Sequence, residues 1–385
     1  MRWNWQQADW PDFKWNSFRL TQAEERFLLA SGVLLGAARH LGEADRERLV
    51  VEGMSVEALT TSEIEGEFLN RASVQSSIQK QLGLATEKRR IPPAEQGIAG
   101  LMVGLYRGAS EPLSVEMLFG WHRMVMSGRR DIQDIGKFRT GVDPMQVVSG
   151  ATYAPKVHFQ APPSNRVPAE MQKFVKWFNR SALDGPEPLP VLTRAGLAHL
   201  RFESIHPFED GNGRIGRAIS EKALVQSFGQ TILIALARSI LAHHRAYYDA
   251  LEAANKQNEV TDWLVWFARI AIEAQLRTTA QIEFLIDKTK LLDKLRGNMN
   301  PRQTKVILRM LQEGPEGFEG GMSAGKYSSI AACSPATATR DLAGLVELGA
   351  LTRTGEVKHT RYALSIVIRP LPRITIDSSG EVQYL

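Results

Sequence analysis

The sequence predicts a mainly α-helical protein with one small β-hairpin and a smaller, separate C-terminal domain. Apolar residues recur near a 3.6-residue period over most of the chain, whereas β-branched and aromatic residues cluster around a glycine in VVSGATYAPKVHF, residues 147–159. The pattern changes again after the helix stop signals Gly297, Asn298 and Pro301. At 385 residues, the chain also exceeds the usual size of a single hydrophobic core.

The N-terminal region, residues 1–90, is expected to be packed rather than loose, because four of the eight tryptophans lie in its first fifteen residues. Two helices are predicted from Gln22 to about Leu59, with Gly42 as the break between them. The central core is assigned to residues 91–296. Its predicted helices are 168–180, 192–205, 213–228 and 261–296.

Residues 297–373 are predicted to form a winged helix, and residues 374–385 a C-terminal tail. Ser334 and Pro335 are suited to begin a helix, and LTRTGEVKHTRYAL alternates in the manner of a two-stranded wing.

The charge of this domain leaves its partner open. The candidate recognition helix, residues 335–348, carries Arg340 against Asp341 and Glu347, whereas a helix that reads DNA usually carries more positive charge. Protein docking or self-association as a homo-oligomer is therefore favoured slightly over DNA binding. The wing residues Lys358 and Arg361 are the argument for DNA.

Composition excludes several classes of protein. No run of eighteen apolar residues occurs, and the start, MRWNWQQADWPDF, lacks the features of a signal peptide, so a cytoplasmic protein without a membrane partner is expected. The single cysteine, Cys333, excludes an internal disulfide and a cysteine-built zinc site. The net charge of +5 would suit a phosphate-bearing ligand or nucleic acid but demands neither.

The segment HPFEDGNGRIGR, residues 206–217, predicts an anion-binding site. Gly211 and Gly213 let successive N–H groups turn toward one point, to which the following helix adds its positive dipole end. Arg214 and Arg217 are three residues apart, so they project from one side of that helix and can reach the outer phosphates of a polyphosphate.

Three polar side chains complete the expected site. Asp210 is placed to hold Mg²⁺, which prefers one or two carboxylates together with phosphate oxygens and water. Asn212 can donate from its side chain to the inner phosphate. His206 is the group that can take a proton from an attacking hydroxyl near neutral pH. Glycine-rich loops before helices are common, but the full order of these residues indicates nucleotidyl or phosphoryl transfer.

This segment resembles the signature H-x-F-x-D/E-G-N-G-R-x-x-R of the Fic (filamentation-induced-by-cAMP) family and matches it without departure. The resemblance implies a helical fold in which His206 deprotonates a Ser, Thr or Tyr hydroxyl of a target protein. That hydroxyl attacks the α-phosphorus of ATP, leaving AMP on the target and releasing pyrophosphate. The resemblance also assigns Asp210 to Mg²⁺, residues 211–213 to the anion hole, and Arg214 with Arg217 to the β- and γ-phosphates.

Two further segments are similar to parts of that family. The hairpin 147–159 resembles its flap, which docks the target by strand addition. The flap residues expected nearest the site are Val157, His158 and Phe159. In YYDALEAAN, Tyr248 and Asn255 resemble positions that contact the adenosine, while core packing is an equal alternative for Tyr247.

The stretch TSEIEG, residues 61–66, resembles the family's inhibitory pattern S/T-x-x-x-E-G/N. Taken alone, a glutamate in such a stretch is more often on a solvated helix face. If Glu65 pairs with Arg217, the γ-phosphate loses its partner and ATP cannot align for attack. In some relatives the same glutamate aligns a water that removes AMP, so de-AMPylation is also open here.

The sequence therefore favours a protein adenylyltransferase, a nucleotidyltransferase that uses Mg-ATP and is restrained within its own chain. The alternative is a DNA-binding transcriptional regulator in which the core only senses nucleotide.

Overall fold

The computed structural model describes residues 2–85, 90–150, 155–227, 234–318, 320–366 and 371–385. Over these residues, the chain forms fourteen α-helices and three two-stranded antiparallel sheets, which confirms the mainly α-helical fold class. It divides into two compact units. Unit 1 comprises Met1–Leu35, Glu47–Gln275 and Pro372–Leu385, and unit 2 comprises Gly36–Arg46 and Leu276–Leu371.

The elements follow one another along the chain with mostly short connections. The helices up to the flap are α1 (Phe18–Arg39), α2 (Glu43–Ile64), α3 (Arg71–Leu82), α4 (Pro93–Arg107) and α5 (Val115–Val125). The flap strands are β1 (Gln146–Ser149) and β2 (Lys156–Gln160). The helices after the flap are α6 (Val167–Arg180), α7 (Val191–Ile205), α8 (Asn212–Gln226), α9 (Leu236–Ala242), α10 (His244–Ala254) and α11 (Thr261–Leu295). The remaining elements are α12 (Pro301–Leu311), α13 (Ala324–Ala331), α14 (Pro335–Glu347), β3 (Leu351–Thr354), β4 (Arg361–Leu364), β5 (Ile374–Ile376) and β6 (Val382–Tyr384).

The antiparallel pair α7 and α8 forms the centre of unit 1, and every residue of α7 is buried. The two helices approach closely at Gly216, where a Cβ would lie 2.5 Å from Glu203 Oε1 and 3.4 Å from Phe202. Glu24 of α1 caps the start of α7 by accepting from the N–H groups of Leu192 and Thr193 at 2.9 and 2.8 Å. Residues 206–211 connect the end of α7 to the beginning of α8.

Unit 2 contains α12, α13, α14 and the β3–β4 hairpin in the order expected for a winged helix. Asp341 on α14 is buried among these helices and accepts from Arg302 Nε at 2.8 Å and from the Tyr327 hydroxyl at 3.0 Å. The side chain of the wing residue Lys358 lies outside the described part of the chain.

The sequence places a boundary at residue 297, whereas the larger segment of unit 2 begins at Leu276 within α11. The difference has a physical reason, because Phe284, Leu291 and Leu295 of α11 belong to the hydrophobic core of unit 2. The glycine and proline signals mark where α11 ends, but they do not indicate which hydrophobic core its last turns join.

Residues 374–385 form a β-hairpin of unit 1, not the tail that the sequence predicts. Ile374 and Val382 are each 2 % exposed, and Gly380 makes the turn with a φ of +86°. The hairpin lies on α1, where Gln22 accepts from the Val382 N–H and Arg26 lies 5.3 Å from the ring centre of Tyr384.

No helix in the described ranges combines the length and the apolar composition that crossing a membrane requires.

Candidate active site

His206 follows the last residue of α7 and has a left-handed backbone conformation, with φ 49° and ψ 61°. This conformation is uncommon for a residue other than glycine and marks a constrained position. Arg139 holds it by donating from Nε to the His206 carbonyl at 2.7 Å. Burial, followed by the charge of Arg139, lowers the pKa of His206 to about 4, so the imidazole is neutral at physiological pH.

The orientation of the imidazole follows from its neighbours. The main chain of Glu203 hydrogen-bonds the ring, while the Glu203 carboxylate lies 3.8 Å from Nδ1. A proton held on Nδ1 leaves the Nε2 lone pair able to accept a proton, which is the state that a general base requires.

The loop between α7 and α8 closes through Asn212. Its Oδ1 accepts from the Phe208 N–H and its Nδ2 donates to the Phe208 carbonyl, both at 2.9 Å. The sequence predicts that this amide donates to a phosphate; one of the two Nδ2 protons is used to close the loop, so the prediction now concerns the second proton. Asn212 is also the first residue of α8, so its main-chain N–H is among those with no partner inside the helix.

Two neighbours fix the shape of this loop. Gly211 has a φ of +80°, and a Cβ there would lie 2.9 Å from Met126 Cε. His122 is buried, stacks on Phe208 at 4.1 Å, accepts from the Gly136 N–H and contacts the Asp210 carbonyl at 3.1 Å. Since Nδ1 accepts, Nε2 carries the proton and donates to Asp210.

Arg217 is 1 % exposed and is bound on two sides by the end of α2. Its Nε donates to Thr61 Oγ1 at 2.7 Å, and its Nη2 donates to Glu65 Oε1 at 2.7 Å. The ion pair expected from the sequence is therefore present. Arg217 Nη1 is buried and has no hydrogen-bond partner among the described residues, so one donor of this guanidinium is left for a ligand.

The Glu65 carboxylate lies at the first turn of α8, where the helix favours an anion. A Cβ at Gly213 would clash with Glu65 Oε1. Gly213 is therefore required for the approach of an anionic group to this turn.

The way in which helix α2 ends explains how Glu65 and Glu67 both reach α8. Gly66 has a φ of +79°, and its N–H donates to the Glu63 carbonyl while the Glu67 N–H donates to the Ser62 carbonyl. This is a Schellman ending, which reverses the chain at a glycine. Glu67, two residues after Glu65, pairs with Arg214 Nη1 at 2.6 Å.

Asp210 is the candidate magnesium ligand, and its carboxylate is 39 % exposed. It currently accepts from Arg129 Nη1 at 2.8 Å, and its Oδ1 accepts from the Gly211 N–H at 2.5 Å. Within the described ranges, no three His, Cys, Asp or Glu side chains group closely enough to hold a metal. A metal ion held by protein alone needs several ligands. A single accessible carboxylate is instead suited to an Mg²⁺ ion whose other ligands are nucleotide phosphates and water.

The two tyrosines of α10 differ in environment. Tyr247 is 2 % exposed and its hydroxyl bonds His199 Nε2 at 2.9 Å, whereas Tyr248 is 39 % exposed. Asn255 follows α10 directly and is buried, with Oδ1 accepting from Ser204 at 3.1 Å. Tyr247 is therefore a core residue, and Tyr248 is the accessible one.

The flap strands pair antiparallel, with a bulge between Val147 and Val148. Of the three predicted docking residues, Val157 is 37 % exposed, while His158 bonds Glu252 of α10 at 2.6 Å. Phe159 is 3 % exposed and packs edge-on against Trp3. The prediction for Phe159 is therefore corrected, since it anchors the flap and does not face a target. Residues 151–154, at the flap tip, lie outside the described residues.

A family model described as Fic/DOC family matches residues 112–224. A second model, described as a domain of unknown function, DUF4172, matches residues 3–84. The Fic/DOC match thus contains the flap and the 206–217 segment, and the DUF4172 match contains Glu65.

Curated relatives carry the same assignment. The chain is 35% identical over 81 residues to a probable protein adenylyltransferase of Aquifex aeolicus, covering 21% of this chain and 22% of that protein. It is 25% identical over 198 residues to protein adenylyltransferase Fic of Nematostella vectensis, covering 50% and 41%. These matches therefore span less than half the length of either relative.

A solved structure shares the fold. It is a Fic-domain-containing signaling protein of Bacteroides thetaiotaomicron, with a TM-score of 0.50 and 19% identity, covering 68% of this chain and 98% of that one. At this identity the likeness concerns the fold alone.

Several contacts within residues 112–224 have no signal in the sequence motifs. Arg129, Arg139 and His122 lie far from residues 206–217 along the chain, yet they bind Asp210, the His206 carbonyl and the Asp210 carbonyl. Only a three-dimensional arrangement reveals them.

Buried carboxylates around α8 predict a pH-dependent stability. Burial raises the pKa of Glu203 to about 8, and burial with the nearby charge of Glu221 raises the pKa of Glu57 above its ordinary 4.5. Between these ordinary and raised values, the folded protein keeps protons that the unfolded chain has lost, so stability falls as pH rises. Between about pH 7 and about pH 8.5, where the buried His199 and His206 are largely neutral in both the folded and the unfolded chain, the melting temperature is therefore expected to fall by several degrees.

Glu57→Gln provides the test of that dependence. The amide can still accept from the Ala237 N–H, which bonds Glu57 Oε2 at 2.9 Å, but it cannot ionise. The fall in melting temperature is expected to be smaller in Glu57→Gln and unchanged in Glu63→Gln, where the exposed side chain lies on the same helix. Equal falls in all three proteins would contradict the role of Glu57.

Proposed function

We propose that this protein transfers AMP from Mg-ATP to a hydroxyl group of a target protein, and that Glu65 restrains this activity. The observation that carries the proposal is the Glu65 carboxylate at the first turn of α8, bonded to Arg217 at 2.7 Å. A protein-borne anion lies where the loop, the helix end and two arginines would bind the phosphates of a nucleotide. The curated relatives named protein adenylyltransferase support the same activity.

His206 is the proposed general base. Its Nε2 would take the proton of the target hydroxyl, and its low pKa of about 4 keeps the ring ready to accept it. The N–H groups at the start of α8 would stabilise the negative charge that develops on the α-phosphoryl group.

Asp210 would hold Mg²⁺, which when bound neutralises part of the phosphate charge. The carboxylate must first leave Arg129, to which it is bonded at 2.8 Å.

Restraint is proposed to act through the phosphate-binding arginines. Arg217 cannot bind a γ-phosphate in the same way while Glu65 and Thr61 occupy Nη2 and Nε. A nucleotide that lacks this contact would bind without its α-phosphorus in line for attack, and misalignment of this kind slows a reaction severely. The same carboxylate is proposed to act on a water in the reverse reaction, removal of AMP, in which His206 would donate a proton after gaining one on Nε2.

Glu67 supplies a second restraint on the neighbouring arginine. In a Glu65→Gly background, Glu67→Ala is expected to improve kcat/KM for ATP by about two- to fivefold, because Arg214 is released from its pair. The gain is small because Glu67 is 34 % exposed, and such pairs are weak. Glu63→Ala in the same background is the control, and equal kinetics in both would argue against this restraint.

The group transferred distinguishes this proposal from phosphoryl transfer. With the Glu65→Gly protein and a lysate as the source of targets, ATP labelled at the α-phosphate is expected to label protein, and ATP labelled at the γ-phosphate is not. Label from the γ-phosphate alone would contradict AMP transfer.

The alternative of a DNA-binding regulator has no specific support in unit 2. On α14, Asp341 is used within the core, and Arg340 is the only basic residue of the helix. A salt-dependent DNA titration of the full chain is expected to show weak binding without sequence preference. We therefore propose the enzyme.

A further inference from the structure

The first turn of the chain lies against the proposed nucleotide site. Asn4 begins a short 3-10 helix, Asn4–Gln6, and is fully buried. Its N–H donates to the Asn255 carbonyl at 2.8 Å, and its side-chain Nδ2 donates to Ser204 Oγ at 2.7 Å. Ser204 precedes His206 by two residues. Asn4 therefore contacts both the end of α10 and the end of α7.

The hydrogen bonds of Asn4 have a defined direction. The Trp5 N–H can only donate, and it donates to Asn4 Oδ1 at 2.7 Å. The other end of that amide is therefore Nδ2, a donor, and Ser204 Oγ must accept from it. The Ser204 hydroxyl then donates its own proton to Asn255 Oδ1 at 3.1 Å.

This series of hydrogen bonds determines which end of the Asn255 amide is available to a ligand. Because Oδ1 is occupied by Ser204, the opposite end, Nδ2, is a donor with no hydrogen-bond partner among the described residues. Without Ser204 and Asn4, either end of an amide could take either position. The main-chain N–H of Trp5 thus sets, through two side chains, the donor that Asn255 presents.

The same turn also holds the base of the flap. Trp5 Nε1 donates to the Gln160 carbonyl at 2.7 Å, and Trp3 packs on Phe159 with ring centres 5.5 Å apart. The carbonyl of Asn4 in turn accepts from Asn258 Nδ2 at 3.3 Å. The turn is therefore fixed on both sides, and Asn4 has little freedom to adopt another orientation.

We propose that Asn4 is a positioning residue of the nucleotide site, which orients the Asn255 amide so that Nδ2 donates to an acceptor atom of the bound nucleoside. This inference rests on the proposed function. It assigns to the DUF4172 segment a part in building the site, separate from the restraint by Glu65. The group recognised is a hydrogen-bond acceptor, a ring nitrogen or ribose oxygen.

The test compares Mg-ATP binding and AMP transfer in a Glu65→Gly parent carrying Asn4→Ala, Ser204→Ala or both. Each single change is expected to raise the Kd for Mg-ATP about five- to tenfold, with a smaller change in kcat, because an oriented donor to the ligand is lost. The Kd of the double variant is expected not to exceed the higher of the two single-variant Kd values, because both changes break the same series of bonds.

Gln7→Ala is the matched control. Gln7 lies on the same segment and its side chain donates to the Lys256 carbonyl at 2.8 Å, whereas the Asn255 Oδ1 accepts from Ser204. Its Kd is expected to stay within about twofold of the parent. A merely structural role for the segment would instead lower the melting temperature of all variants and leave Kd unchanged in the folded fraction.

Each outcome decides the inference. If the parent binds and transfers but both single variants keep its Kd, the positioning role is wrong and the proposed function stands. If the variants lose affinity additively, the series of bonds is wrong. If the parent neither binds ATP nor transfers AMP, the proposed function fails and the positioning role with it. Should Asn4→Ala not fold, Ser204→Ala, which removes a single buried hydroxyl, decides alone.

Discussion

Glu65→Gly is expected to raise AMP transfer at least about tenfold over the unmodified chain. The change removes the carboxylate from the first turn of α8 and frees Arg217 Nη2, which donates to it at 2.7 Å. A hydrogen bond between charged groups contributes about 1.5–3 kcal/mol, and about 1.4 kcal/mol corresponds to a tenfold change in rate. The measurement is incorporation of label from ATP labelled at the α-phosphate.

Glu63→Gly is the control for that change. Glu63 lies in the last turn of α2, two residues before Glu65, and is exposed, so the substitution removes the same charge without removing the carboxylate beside α8. Its transfer rate is expected to match that of the unmodified chain. Equal activation in both variants would show that loosening α2, and not release of Arg217, causes the increase. If AMP transfer by Glu65→Gly does not increase, the proposed restraint by Glu65 is wrong.

His206→Ala is expected to lower AMP transfer by about a hundredfold to ten-thousandfold in the Glu65→Gly background. General base catalysis commonly contributes this much, and the ring is the group held beside the start of α8 in the neutral state. ATP affinity is expected to change little, because the arginines and the main-chain N–H groups of α8 are intact. Separate measurement of ATP binding and transfer distinguishes the two effects.

His243→Ala is a suitable comparison for His206→Ala. It removes an imidazole that pairs with Glu273 at 2.8 Å, at the junction of α9 and α10. Its transfer is expected to stay near that of the parent. Full transfer by His206→Ala, or a loss of ATP binding equal to the loss of transfer, would contradict the assignment of His206 as the base.

The site residues that lie within one short segment could be predicted from the sequence. Gly211, Gly213 and Arg217 follow from local geometry, because a loop that begins a helix brings neighbouring groups together without help from the rest of the fold. The direction of Asn212 could not be predicted, since its amide has two competing uses. The structure shows that it closes the loop on Phe208.

Residues distant in the chain required the structure. Asn4, Glu67 and Arg129 each contact the site, but nothing in their local sequence separates them from ordinary turn or surface residues. Successive side chains of β2 point to opposite faces of the hairpin, but the sequence does not indicate which face is buried. Trp3 decides that question for Phe159, which it covers.

The predicted boundary at residue 297 differs from the limit of the compact unit for a related reason. Helix stop signals report where a helix ends, whereas a domain boundary depends on which core the side chains join. Leu295 of α11 joins the core of unit 2. The final hairpin is short, and its burial comes from α1, so its alternating residues carried too little local signal to distinguish it from a tail.

Intact-protein and peptide mass spectrometry of the Glu65→Gly protein, incubated with ATP, Mg²⁺ and a lysate, tests the central claim most directly. The expected result is the added mass of one AMP group on a Ser, Thr or Tyr side chain, in this protein or in a lysate protein. The same adduct should be absent when His206 is replaced by alanine. An adduct with the mass of phosphate, or no adduct while ATP is shown to bind, would contradict transfer of AMP by this site.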